Sequence, residues 1–163
     1  MGNRWAIAAG LVTHAEDADD HNLPKMIWYG VEPLVPENPT RAMNLAQASQ
    51  LPLVTEYIAR RATNARQLET LSLALGQIKD ETTINNMLRG FDAGLKSLDE
   101  AVAPASWQET YKKIEKYPLA KEIALILGDS ETNKALISTL DNSKATSADR
   151  RSALKTLASK EHH

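Results

Sequence analysis

The densest set of side chains able to do chemistry lies near the start of the chain. His14, Glu16, Asp17, Asp19, Asp20 and His21 offer oxygen and nitrogen ligands within eight positions. Carboxylate clusters of this kind serve hard cations such as Ca²⁺. The EF-hand spacing fails, however: counted from Asp17, the fifth, sixth and twelfth positions are His21, Asn22 and Trp28. His14-x-Glu16 matches half of a zinc-deaminase signature, but a chain with no cysteine has no Cys-x-x-Cys to complete it. No His-Glu-x-x-His, Gly-x-Ser-x-Gly, phosphate loop or dinucleotide fingerprint is present. A structural reading therefore carries more weight. Asp19 or Asp20 is placed to cap a helix starting near Pro24, where a carboxylate also opposes the positive dipole end. The remaining acids are expected to pair with Arg60 or Arg61.

Trp28 and Tyr29 follow Met26 and Ile27 in a short apolar stretch, and rings at this spacing belong more often to a core than to a ligand platform. A buried Trp28 would make Trp28→Ala cost about 3–5 kcal/mol. Glu32, after Gly30, reads as a cap or ion-pair partner rather than a general acid.

These residues must be held by helices. Leu68, Leu71, Leu75 and Ile78 recur at helical steps. Ile84, Met87, Phe91, Leu95, Leu98 and Val102 continue the rhythm over about five turns. Trp107, Tyr111 and Ile114 form a further stripe, as do Leu119, Ile123 and Ile126, then Leu136, Ile137 and Leu140, then Leu154, Leu157 and Ala158. Pro52 and Pro118 sit where helices can begin, and Asn38-Pro39-Thr40 opens another. Ser106 and Glu109 have capping-box spacing, and Gly128 reads as a helix stop. Gly90 and Gly94, four apart, predict a close helix contact. The fold class is all-α, with about eight or nine short helices. Many short helices favour an α–α superhelix of stacked pairs over a four-helix bundle. The helices at 119–127, 132–140 and 149–157 make the best case for stacked pairs, and the segment 149–157 resembles the second helix of HEAT-type repeats.

The chain has 163 residues, 42% hydrophobic and 25% charged, which suits one domain with a real core. Nineteen basic against 21 acidic side chains give a formal charge of −2, which provides no general pull toward nucleic acid. No apolar run approaches the roughly 20 residues of a membrane helix, so no membrane insertion is expected. Zero cysteines exclude disulfides, thiolate catalysis and covalent c-type haem attachment within this chain. The expected organisation is a cloning leader over 1–3, a single helical domain over 4–160, and a tag remnant at 161–163, with the chain an excised piece of a longer protein.

The stretch from His14-Ala15-Glu16-Asp17 through Asp20, Asn22-Leu23-Pro24, Met26-Ile27-Trp28-Tyr29-Gly30, Glu32 and Leu34 forms a distinctive string with Tyr57-Ile58-Ala59-Arg60-Arg61. It resembles the helical, HEAT-like middle region of large bacterial membrane-bound dehydrogenase-like proteins carrying a c-type haem domain. The match is close over 14–61 and loose beyond it. The resemblance implies an N-terminal β-propeller and a haem c domain elsewhere in the parent, and a periplasmic or cell-envelope location. The chain itself has neither propeller strands nor a Cys-x-x-Cys-His motif. It is thus expected to be a non-catalytic scaffold without a cofactor of its own, contacting neighbouring domains of the same polypeptide. Asp17, Asp20, Trp28, Arg60 and Arg61 are the expected structural or docking residues. The alternative is a module that binds a cation or sugar through the acidic loop at 14–21.

Overall fold

The computed structural model describes the backbone of residues 2–128 and 130–158, with the side chains of 130–135 and 156–158 left out. The expected tag remnant at 161–163 and the first residue of the leader lie outside the described residues. Ten α-helices and two 3₁₀ turns, and no strand, are found among the described residues. The helices are α1 (Gly2–Leu11), α2 (Leu23–Val31), α3 (Pro39–Ala48), α4 (Pro52–Asn64), α5 (Leu68–Leu75), α6 (Glu81–Leu95), α7 (Trp107–Ile114), α8 (Pro118–Ile126), α9 (Ser130–Asp141) and α10 (Ser147–Ala158). The all-α expectation holds, and so does the preference for many short helices over a few long ones.

Local chemistry sets most of the boundaries. Pro39, Pro52 and Pro118 each occupy the first position of a helix, where the missing N–H costs no intrahelical bond. Asn38 caps α3 by accepting from the Arg41 N–H at 3.0 Å. Asp80 caps α6 through Oδ2, which accepts from the Thr83 N–H and hydroxyl, both at 2.7 Å. Helix α4 stops in a paired turn: the Gln67 N–H bonds the Ala62 carbonyl and the Arg66 N–H the Thr63 carbonyl. That turn places Arg66 at φ 58°, a left-handed position that usually takes glycine. Gly128 ends α8 at φ 71°, as its sequence position predicts.

Other expectations need correction. Helix α6 ends at Leu95, so the stripe does not run on to Val102, which is 81% exposed in an extended connection. Ser106 does not cap α7 with its side chain; its hydroxyl instead donates to the Ser72 hydroxyl at 2.8 Å. Among the described side chains of α10, Ala153 faces inward and Leu154 is exposed, while Leu157 and Ala158 of the expected stripe lie outside the described side chains.

The helices stack with a simple periodicity. From α1 to α6 each packs on the helix two places along the chain, α1 on α3, α2 on α4, α3 on α5, α4 on α6, α5 on α7 and α6 on α8, and α8 packs likewise on α10. Contacts between named residues show that stacked helices run the same way. Gly90 meets Ala59 while Gly94 meets Thr63, one turn further along both chains. Likewise the Ser72 carbonyl accepts from Thr110 and the Gly76 carbonyl from Lys113. Odd-numbered helices α1 to α7 therefore make one layer and even-numbered helices the other. One continuous cluster of buried side chains runs between the layers from Trp5 to Leu127. Its centre is the α4–α6 contact. Thr55, buried one turn before Ala59 on α4, donates to the Ala46 carbonyl at 3.1 Å and fastens α4 to α3.

Candidate functional site

The 14–61 region comprises the turn between α1 and α2, then α2, α3 and most of α4. That turn is a 3₁₀ segment, Ala15–Asp17, with no buried residue. His14 Nδ1 lies 2.8 Å from Glu16 Oε1, both exposed. The hydrogen bond to Glu16 and its charge raise the His14 pKa above the ordinary imidazole value. The same hydrogen bond, seen from the carboxylate, holds Glu16 below its usual range.

Asp20 does the capping expected of it. Its Oδ1 accepts from the backbone N–H groups of Asn22 and Leu23, both at 2.8 Å, and these bonds depress its pKa. Asp17 is half-buried, and Asp19 and His21 are exposed. Among the described residues, no three His, Asp or Glu side chains are grouped to hold a metal ion. The six candidate ligands His14, Glu16, Asp17, Asp19, Asp20 and His21 are thus neighbours in sequence without converging on one point.

The pairing expected between the acidic run and the arginines does not form. Arg61 Nε instead meets Glu32 Oε1 at 3.3 Å, and Arg60 is exposed. The reason is helical register: Glu32 follows the C-terminal end of α2, level with Arg61 on α4, while the acidic run sits at the opposite end of α2. About eight residues separate those ends, roughly 12 Å of helix. Glu32 accordingly acts as an ion-pair partner, the role its sequence position predicts.

Trp28 is half-buried, short of the full burial expected, and sets its ring edge-on to Tyr57 at 5.5 Å and 73°. Tyr29 is 70% exposed. Trp28–Tyr57 and Glu32–Arg61 are two rungs one helical turn apart on both α2 and α4. Of the five residues expected in the structural motif, this seam unites Trp28 and Arg61. Asp17 and Asp20 belong to the far end of α2, and the backbone of Arg60 faces α6 at Gly90.

Three buried groups carry no signal in the sequence reading. Asp92 on α6 is 8% exposed and accepts from Lys96 Nζ at 2.7 Å through Oδ2, while its Oδ1 has no partner. Trp107 Nε1 and Tyr117 Oη are buried without a partner. The Asp92–Lys96 spacing of four was legible; the burial was not, because it depends on where α6 sits against its neighbours. A shallow hollow lined by Asn3, Arg4, Leu34 and Glu37 adjoins the start of α1 and contains none of the candidate residues.

No protein-family model matches the chain, and no curated protein or solved structure is similar to it. Among the described residues no helix is long and apolar enough to cross a membrane.

Proposed function

We propose that this chain is a non-catalytic helical scaffold, a HEAT-like stack belonging to a larger haem-containing, dehydrogenase-like protein of the bacterial periplasm or cell envelope. Its work is mechanical: to hold a propeller module and a cytochrome module at fixed separation. The observation that carries this reading is the use made of the distinctive 14–61 string. Asp20 is spent on capping α2, Trp28 on Tyr57, and Arg61 on Glu32. Trp28 and Arg61 hold α2 to α4, and Asp20 fixes the turn that leads into α2, as a spacer of fixed length requires.

The parent's reading frame tests the assignment. The scaffold reading expects propeller repeats upstream and Cys-x-x-Cys-His downstream, and a frame with neither overturns it. Titration calorimetry of this chain with Ca²⁺ tests the rival use of the acidic loop. A scaffold gives no binding heat, whereas heat abolished by Asp17→Ala with Asp19→Ala assigns the loop to a cation.

A further inference from the structure

The connection from α6 to α7 takes eleven residues, 96–106, where those between α3 and α4, α4 and α5, and α7 and α8 take three each. It runs across the turn that joins α4 to α5 and is pinned at both ends. The Ser97 hydroxyl shares its hydrogen between the Gly94 carbonyl at 2.7 Å and Asn64 Oδ1 at 3.0 Å. Ser106 donates its hydroxyl to Ser72 at 2.8 Å and its N–H to Glu69 Oε2 at 3.3 Å. Between the pins, none of the N–H groups from Asp99 to Ala105 bonds a backbone carbonyl among the described residues. Ala101 and Ala103 are half-buried and pack with Leu98 on the cluster between the layers, while Val102 is 81% exposed. Two methyl groups and part of one leucine are little apolar area to hold such a segment against its conformational freedom. Polar contact decides whether it stays down.

Arg66 supplies that contact. Its Nη1 donates to the Glu100 carbonyl at 2.9 Å, near the middle of the segment. Asp99 and Glu100 are exposed, and neither carboxylate forms an ion pair among the described residues, so Arg66 grips backbone rather than charge. Lys96 is engaged with Asp92. Arg66 also sits at φ 58°, where a side chain is strained and glycine is the usual occupant. A residue poorly suited to its turn is thus well suited to reaching Glu100. We propose that residues 98–105 are a latched strap, which lifts between its pins at Ser97 and Ser106 while the helices stay packed, with Arg66 as the latch. Lifting uncovers the part of the apolar cluster beneath Leu98, Ala101 and Ala103, and leaves α4 on α6 and α5 on α7. The inference rests on packing alone and is independent of the scaffold reading.

The chain has no cysteine, so one introduced thiol reports the strap. Ala103→Cys puts it on the inward side and Val102→Cys on the outward side, and Ala101→Cys repeats the inward measurement. Modification of the full chain by a soluble disulfide reagent is followed in increasing, sub-denaturing urea. The inward thiols are expected to react about 10- to 100-fold slower than the outward one, with a urea dependence much shallower than that of global unfolding. Arg66→Gly and Arg66→Asn suit the left-handed position but do not reach Glu100. Each should speed the inward thiols about three- to tenfold, leave the outward thiol unchanged and not lower the Tm. Equal rates inside and outside overturn the strap, since it would have no closed state. Inward reaction that follows global unfolding overturns it as well. Inward rates unchanged in both variants, or a Tm that falls in step with faster reaction, overturn Arg66 as the latch.

Discussion

Gly90 and Ala59 bring α6 and α4 together so closely that a β-carbon on Gly90 would stand 2.9 Å from that of Ala59, with the Glu56 carbonyl oxygen nearer still. Backbone stands on one side of that contact, so nothing can give cheaply. Gly90→Ala is therefore expected to destabilise the fold by about 2–3 kcal/mol despite the better helix propensity of alanine. Gly10→Ala is the control, since its β-carbon would meet nothing within 4 Å. It should be neutral or gain a few tenths of a kcal/mol. Urea unfolding of both variants checks the contrast. Equal stabilities would mean that α4 and α6 are not packed through their backbones.

The two distal tryptophans should differ in the same experiment. Trp107 is fully buried, edge-on to Phe91 at 5.9 Å, and Trp107→Ala should cost about 3–5 kcal/mol. Trp28 is half-buried, so Trp28→Ala should cost about 1–3 kcal/mol, most of it lost contact with Tyr57 and the neighbouring core. Combining Trp28→Ala with Tyr57→Ala should cost less than the sum of the single variants, because the first removes part of what the second would lose. Strict additivity would deny the pair any coupling.

Much of the architecture is legible because it is written locally. The proline starts of α3, α4 and α8, the Asn38 cap and the Gly128 stop depend on residues within one turn. Even the α4–α6 contact announces itself, since two glycines one turn apart on a strongly periodic helix have few other uses. What is not legible is which partner each polar side chain finds. Arg61 meets Glu32 because stacked helices run parallel, a register fixed by packing of α2 on α4 within their layer rather than by neighbours in sequence. Ser106 has the right spacing for a capping box, yet Ser72 on α5 captures its hydroxyl. Val102 extends a hydrophobic rhythm past the residue where the helix has ended.

Acid should weaken the two carboxylate caps in a defined window. Asp20 and Asp80 each have a pKa lowered by hydrogen bonds, from Leu23 and Asn22 to the first and from Thr83 to the second. A carboxyl depressed on folding contributes stability that is present above its unfolded pKa and lost as pH falls through its folded pKa. Asp80→Ala should therefore lower the Tm at neutral pH, and the gap from the parent chain should close as pH drops below the carboxylate range. Thermal scans at stepped pH check this. The His14–Glu16 pair has two limits. His14 is raised, so its contribution is present below its unfolded pKa and fades as pH climbs through the folded value. Glu16 is lowered, so its contribution fades in acid.

The far end of the stack should open first. Among the described residues, helices α9 and α10 pack most on each other and on α8, whereas α4 is held by α2, α3, α5 and α6. Local stability follows that difference, since a unit fixed along one side can detach without exposing the cluster between the layers. Amides of α9 and α10 should exchange with deuterium through a sub-global opening, at a free energy well below that of amides in α4 and α6. The central helices, bound on both sides, should exchange only with global unfolding. Gly90→Ala then separates the two processes. It should accelerate exchange in α4 and α6 by about 30- to 150-fold, matching its loss of about 2–3 kcal/mol, while leaving α9 and α10 nearly unchanged. Uniform acceleration along the whole chain would mean that the stack unfolds as one unit, with no separable end.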